Sequence, residues 1–125
     1  MEPSERKPIR NYRDLIAWQK AMNLAEQAYQ ATLKFPHEER FGLTSQMRRA
    51  AVSVPSNIAE GFGRARKPEF RRFLEIARGS LFEFQTQAEL ARRLGLLAGP
   101  GLTNLRDAAQ ELEAILNGLI RSQRN

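Results

Sequence analysis

Cysteine is absent from this chain of 125 residues, and histidine occurs once, as His37. Without thiols there is no disulfide framework and no thiolate metal site. One histidine leaves a zinc centre short of ligands, so no metal and no cofactor are expected and His37 reads as a turn residue. The lack of cysteine suits a reducing compartment. No apolar run approaches the ~20 residues that cross a bilayer, so no membrane partner is expected. Residues 1–10 are polar and mixed in charge, contain Pro3 and Pro8, and lack the apolar stretch of a signal peptide. They predict a disordered arm over residues 1–11, a single domain over 12–125, and a cytoplasmic location. Catalytic signatures are also missing. There is no nucleophile elbow. Gly61-Phe62-Gly63 is a scrap of a phosphate loop with no strand before it. The expectation is that the chain is not an enzyme.

What is present is charge, concentrated in one place. Residues 40–72 hold Arg40, Arg48, Arg49, Arg64, Arg66, Lys67, Arg71 and Arg72 against only Glu60 and Glu69. Residues 1–39 and 73–125 are each balanced, so the formal net charge of +6 comes from one quarter of the chain. Such a field attracts polyanions, of which nucleic acid is the commonest.

The apolar residues follow steps of three and four. Leu15, Trp18, Met22, Ala25 and Tyr29 form one such series, and Leu102, Leu105, Ala109, Leu112, Leu116 and Leu119 another. Phe70, Ala77, Phe84 and Ala91 recur every seven residues, interleaved with Leu74, Leu81 and Ala88. This spacing keeps side chains on one face of a helix. No stretch alternates with β-branched enrichment, so no sheet is predicted. A further helix carries Leu43, Met47, Ala50, Ala51, Val54, Ile58 and Phe62, with Pro55 in its middle. The proline removes a hydrogen bond and predicts a kink there; a restart with Asn57 and Glu60 as a capping pair is the alternative. Phe35-Pro36, Lys67-Pro68 and Gly99-Pro100-Gly101 punctuate the chain, with the fourth helix expected to begin near Thr103. The predicted fold is all-α, an up-down-up-down antiparallel four-helix bundle with helix two kinked at Pro55.

Helix two is unusual on its other faces. Arg49, Ser53, Asn57, Glu60 and Arg64 make a polar ridge, and Val52, Pro55 and Ala59 lie between that ridge and the core. Small and apolar residues on more than one side predict a subunit interface along helix two involving Val52, Ser53, Pro55, Asn57, Ala59 and Glu60. Phe41 and Phe62 flank the basic quarter and read as core or cap contacts rather than as stacking platforms.

The residues also resemble a family. Tyr12 to Ala21 (YRDLIAWQKA), Leu43 to Gly61 (LTSQMRRAAVSVPSNIAEG), Glu69 to Leu74 (EFRRFL) and Ala77 to Glu83 (ARGSLFE) occur in order. They resemble the bacterial four-helix-bundle proteins of the 23S rRNA intervening-sequence type. The resemblance implies a bundle that often assembles as a homopentamer. It also brings in a relative in fold, the accessory variability determinant of diversity-generating retroelements, which works with a reverse transcriptase and its RNA. The functional expectation is a non-enzymatic homo-oligomer that binds RNA or DNA through the basic residues of 40–72. The alternative is a scaffold or accessory subunit that docks an acidic partner or a reverse transcriptase. Arg92, Arg93 and Arg121, in charge-balanced segments, are expected to matter much less.

Overall fold

The computed structural model describes residues 8–124. The expected arm therefore lies mostly outside the described residues. The first ordered turn is built by short polar side chains. The Arg13 amide donates to Asn11 Oδ1 (2.8 Å), and Asp14 Oδ2 accepts from the Arg10 amide (2.8 Å) and the Asn11 amide (3.2 Å). This satisfies donors that a helix start leaves unpaired. A 3₁₀ turn over Tyr12–Asp14 then leads into α1, Ile16–Thr32.

Three more helices follow: α2, Leu43–Gly63; α3, Lys67–Arg93; and α4, Gly99–Ser122. There is no strand among the described residues. Each helix packs on its two neighbours in the cycle α1–α2–α3–α4 and not on the diagonal one. The pairs between α3 and α4 run in opposite senses along the chain: Arg78 with Asn117, Gln85 with Glu113, Glu89 with Arg106. The expected antiparallel four-helix bundle is what forms.

The core is one apolar cluster. α3 contributes Leu74, Ala77, Leu81, Phe84, Ala88 and Ala91, and α4 contributes Leu102, Leu105, Ala109, Leu112, Leu116 and Ile120. Of the expected apolar series, Leu15 and Ala25 are in the core, whereas Trp18, Met22 and Tyr29 are not. The buried face of α1 is Ala17, Ala21, Leu24, Ala25 and Ala28. Trp18 is only half-buried, while Met22 and Tyr29 are exposed by 37% and 45%. The two stripes share the same period and differ in phase. Small alanines let α1 sit close to its neighbours, and the large residues are turned outward.

α2 runs unbroken through Pro55, which is buried. Asn57 does not cap a second helix; its Nδ2 donates to Ser53 O (2.8 Å), and Ser56 Oγ donates to Val52 O (2.9 Å). These side-chain bonds fall on the two carbonyls that follow Ala51, the residue whose carbonyl loses its partner to Pro55. Helix α4 starts earlier than expected, at Gly99. Gly99-Pro100-Gly101 forms its first turn, where proline costs nothing. α2 and α3 approach closely at Gly61, where an added Cβ would stand 2.5 Å from Phe73 Cβ. That approach is why glycine is needed there, and no phosphate loop is involved.

Candidate nucleic-acid interface and apolar groove

The fold divides the basic quarter in two. α2 has 21 residues and so spans about 30 Å. Arg48 and Arg49 lie in its second turn, near the α1–α2 connection. Arg64, Arg66, Lys67, Arg71 and Arg72 surround its other end, where α2 turns into α3.

At the α1–α2 end, the arginines are largely committed. Arg48 Nε donates to Thr32 Oγ1 (2.8 Å), its guanidinium NH2 donates to Tyr29 O (3.3 Å), and its Cζ lies 4.4 Å from the Tyr29 ring centroid. A cation on the last carbonyls of a helix opposes its dipole favourably. Arg48 therefore ties α1 to α2. Arg40 stacks on Phe41 at 4.6 Å. Phe41 is 82% exposed, so it is neither a core nor a cap contact; its turn places it outside the bundle and Arg40 covers one face. Phe62 behaves as expected, packing edge-on to Phe70 at 5.8 Å. Arg49 is exposed and lines a polar cleft between α2 and α3 with Ser53, Ser80 and Glu83.

At the α2–α3 end, the charges are open. Arg64 pairs with Glu60 at 3.1 Å and lies over the Phe73 ring at 5.2 Å; Arg72 lies over the same ring at 5.0 Å. Arg66 approaches Glu69 only to 4.0 Å. Among the described residues, Lys67 and Arg71 have no ion pair or side-chain hydrogen bond. The turn itself is held by Ala65 in the left-handed region (φ 63°). Topology adds more positive charge. The start of the described chain brings Arg10 and Arg13 to this end, and the end of α4 brings Arg121 and Arg124. The acidic residues nearby are Asp14, Glu60 and Glu69, and Asp14 is engaged in the first turn. Arg121 belongs to a charge-balanced segment of the chain, but the antiparallel fold puts the end of α4 beside the α2–α3 turn, because charge balance along the chain says nothing about which helix ends meet.

The expected interface residues fall on two different surfaces. Ser53 and Asn57 turn toward α3: Ser53 Oγ and Ser80 Oγ share a hydrogen bond of 2.8 Å, and Asn57 Nδ2 also reaches Ser53 Oγ (3.0 Å). Glu60 holds Arg64. Val52, Pro55 and Ala59 line an apolar groove of about 620 Å³ between α1 and α2. Its other wall is Trp18, Met22 and Tyr29, the residues that pattern reasoning had placed in the core. Tyr12 packs edge-on to Trp18 at 5.3 Å and closes one end. No group of three or more candidate metal ligands occurs among the described residues. Among the described residues, no helix is long and apolar enough to cross a membrane.

The family of 23S rRNA-intervening sequence proteins matches residues 13–118. A solved structure of a protein of unknown function from the S23 ribosomal protein family of Bacteroides thetaiotaomicron is similar in fold, with a TM-score of 0.77 at 19% identity. The match covers 85% of this chain and 96% of that one. No curated protein matches the sequence.

Proposed function

We propose, for a chain that belongs to the family of 23S rRNA-intervening sequence proteins, a non-enzymatic role as a cytoplasmic homo-oligomer that binds structured RNA by its phosphate backbone. The observation that carries this is the α2–α3 end of the bundle. Arg66, Lys67 and Arg71 stand there with little internal neutralisation, beside Arg64, Arg72, Arg121 and Arg124. Arginine suits phosphate because its planar fork donates two parallel hydrogen bonds. In a ring of copies, which the family resemblance puts at five, the basic ends repeat and engage several phosphates together. Contacts of this kind position a nucleic acid and read little sequence.

A second reading has its own support. The groove lined by Trp18, Met22 and Val52 is apolar, and such a surface fits protein rather than nucleic acid. A scaffold role, with an acidic protein or a reverse transcriptase as partner, would use it.

The test is a fluorescence titration of labelled RNA between about 50 and 200 mM salt. Each phosphate contact adds about −0.7 to the log-log slope for single strands and about −0.9 for duplex DNA. Steep salt dependence with little sequence preference is the expected result. No binding by the unaltered protein at low salt would exclude the RNA role and favour the scaffold.

A further inference from the structure

The cleft between α2 and α3 carries polar groups that the fold leaves unused. Ser53 Oγ and Ser80 Oγ meet across it at 2.8 Å and set the register of the two antiparallel helices. One turn further from that bond come Arg49 and Glu83, and the next turn brings Gln46 and Gln87. Only the serine rung closes. Gln46, Arg49, Glu83 and Gln87 make no ion pair and no side-chain hydrogen bond among the described residues. A cleft of about 360 Å³ stays open between them.

Two atoms in this cleft lack a partner that their chemistry demands. Gln87 Oε1 is buried and accepts no hydrogen bond, which is costly for a polar atom. Its amide turns about a soft terminal torsion, so either end can be brought to the opening. Ser80 is only 8% exposed. The serine pair has two hydroxyl protons, and one lies in the shared bond. Ser53 Oγ also accepts from Asn57 Nδ2 (3.0 Å), so the second proton has no acceptor. The cleft thus offers a guanidinium and a hydroxyl proton as donors, and a carboxylate and an amide oxygen as acceptors.

We infer that this cleft binds a free α-amino acid as the zwitterion. The ligand's carboxylate takes the Arg49 guanidinium and the spare serine proton. Its ammonium donates to Glu83 and to Gln87 Oε1. A lone anion would meet the charge of Glu83, and a lone cation that of Arg49; a zwitterion satisfies both. A nucleobase has nothing to stack on, because Ala50 is the only apolar residue in the lining. The volume lies at the low end of the range for ligand sites, about 300–1,000 Å³, which suits a small molecule. The inference goes beyond the RNA reading and does not rest on it. Arg49 lies in the second turn of α2, toward the end opposite the open arginines.

The test is an NMR titration of the full chain with each of the common amino acids in turn. At least one should bind saturably, with a dissociation constant below about 1 mM. It should shift the side-chain amides of Gln46 and Gln87 and the backbone amides of Ser53 and Ser80. The N-acetyl form of that amino acid lacks the ammonium, and its carboxamide lacks the carboxylate. Each should bind at least about tenfold more weakly. Arg49→Met and Glu83→Gln should each weaken the amino acid by a similar factor. Both residues are exposed, so folding should survive, and circular dichroism checks it. Saturable binding by none of the amino acids would overturn the inference. So would affinity that persists in both variants, or blocked forms that bind as well as the parent. Labelled RNA shifting these resonances where no amino acid does would give the cleft to RNA instead.

Discussion

The two ends of the bundle each gather arginines, and they use them in opposite ways. At the α3–α4 end, Glu89 accepts hydrogen bonds from Arg92 (2.9 Å), Arg93 (3.0 Å) and Arg106 (2.9 Å). The bonds from Arg92 and Arg93 hold its carboxyl well below the usual carboxylate range, with Arg106 adding to them. One carboxylate therefore organises three cations. At the α2–α3 end, Glu69 reaches Arg66 only weakly, and Lys67 and Arg71 are unopposed among the described residues. The difference teaches that counting arginines does not locate a polyanion site. What matters is how many of them the fold has already paired.

The strongest way to break the comparison is to reverse charge at both ends. Arg66→Glu, Lys67→Glu and Arg71→Glu together should lower RNA affinity by at least about tenfold and flatten the salt slope by about two contacts' worth. Arg92→Glu with Arg93→Glu should change affinity by less than about threefold. Arg121 is unsuitable as a control, since it lies at the open end. Equal losses in the two variants, by the same salt titration, would mean that net charge alone attracts the ligand.

A smaller effect separates two adjacent arginines. Arg48→Met removes a charge-assisted hydrogen bond to Thr32 and the stacking on Tyr29. It should cost about 1–2 kcal/mol of stability, measured by urea unfolding, and leave the salt slope of RNA binding unchanged. Arg49→Met should leave stability nearly unchanged, because Arg49 makes no ion pair among the described residues. A stable Arg48→Met variant with a flattened slope would place Arg48 on the ligand instead.

The bundle was legible because in α2, α3 and α4 the largest regularly spaced apolar residues are also the buried ones. α1 was not, because it has two apolar sets. Ala17, Ala21, Leu24 and Ala28 compete with Trp18, Met22 and Tyr29 for the same core, and residue size favours the wrong set. The alanines win because they permit close helix packing. The candidate site was half legible. The cluster around Lys67 could be read as local charge, while the roles of Arg48 and Arg121 depend on contacts with distant residues. The expected bend at residues 51–55 follows from the missing proline donor. Residual dipolar couplings across 48–60 should show the two halves of α2 at an angle of about 20° or more.

Glu89→Gln sharpens the comparison from the other side. It should release Arg92, Arg93 and Arg106 and turn the closed end into a second open one. Since the carboxyl titrates below its ordinary range, its ionised form is favoured in the folded state. That contribution is present above the unfolded carboxylate pKa and fades only as pH falls toward the depressed folded value. Near neutral pH the neutralisation is complete in the unaltered protein. The variant should bind RNA about two- to fivefold more tightly at low salt, with a steeper slope. Unchanged affinity would mean that geometry at the α2–α3 end, beyond charge, selects the ligand.

The smallest expected effect concerns the turn that displays the open end. Ala65 sits at φ 63° between Arg64 and Arg66. A left-handed conformation costs a residue with a Cβ about 1–2 kcal/mol, and glycine is the usual occupant where a helix ends this way. Ala65→Gly removes that strain but gives the unfolded chain more freedom, worth about 0.5–1 kcal/mol. The net should be a gain of about 0.5–1 kcal/mol, seen as a rise in Tm of about 2–4 °C. RNA affinity should change by less than about twofold, because the Arg64 amide bond to Gly61 O (3.2 Å) and the Ala65 amide bond to Phe62 O (3.3 Å) survive the substitution. A lower Tm would show that alanine's lesser freedom outweighs its strain. A higher Tm with sharply weaker binding would show that the stiffness of this turn holds the basic side chains in the geometry that the ligand requires.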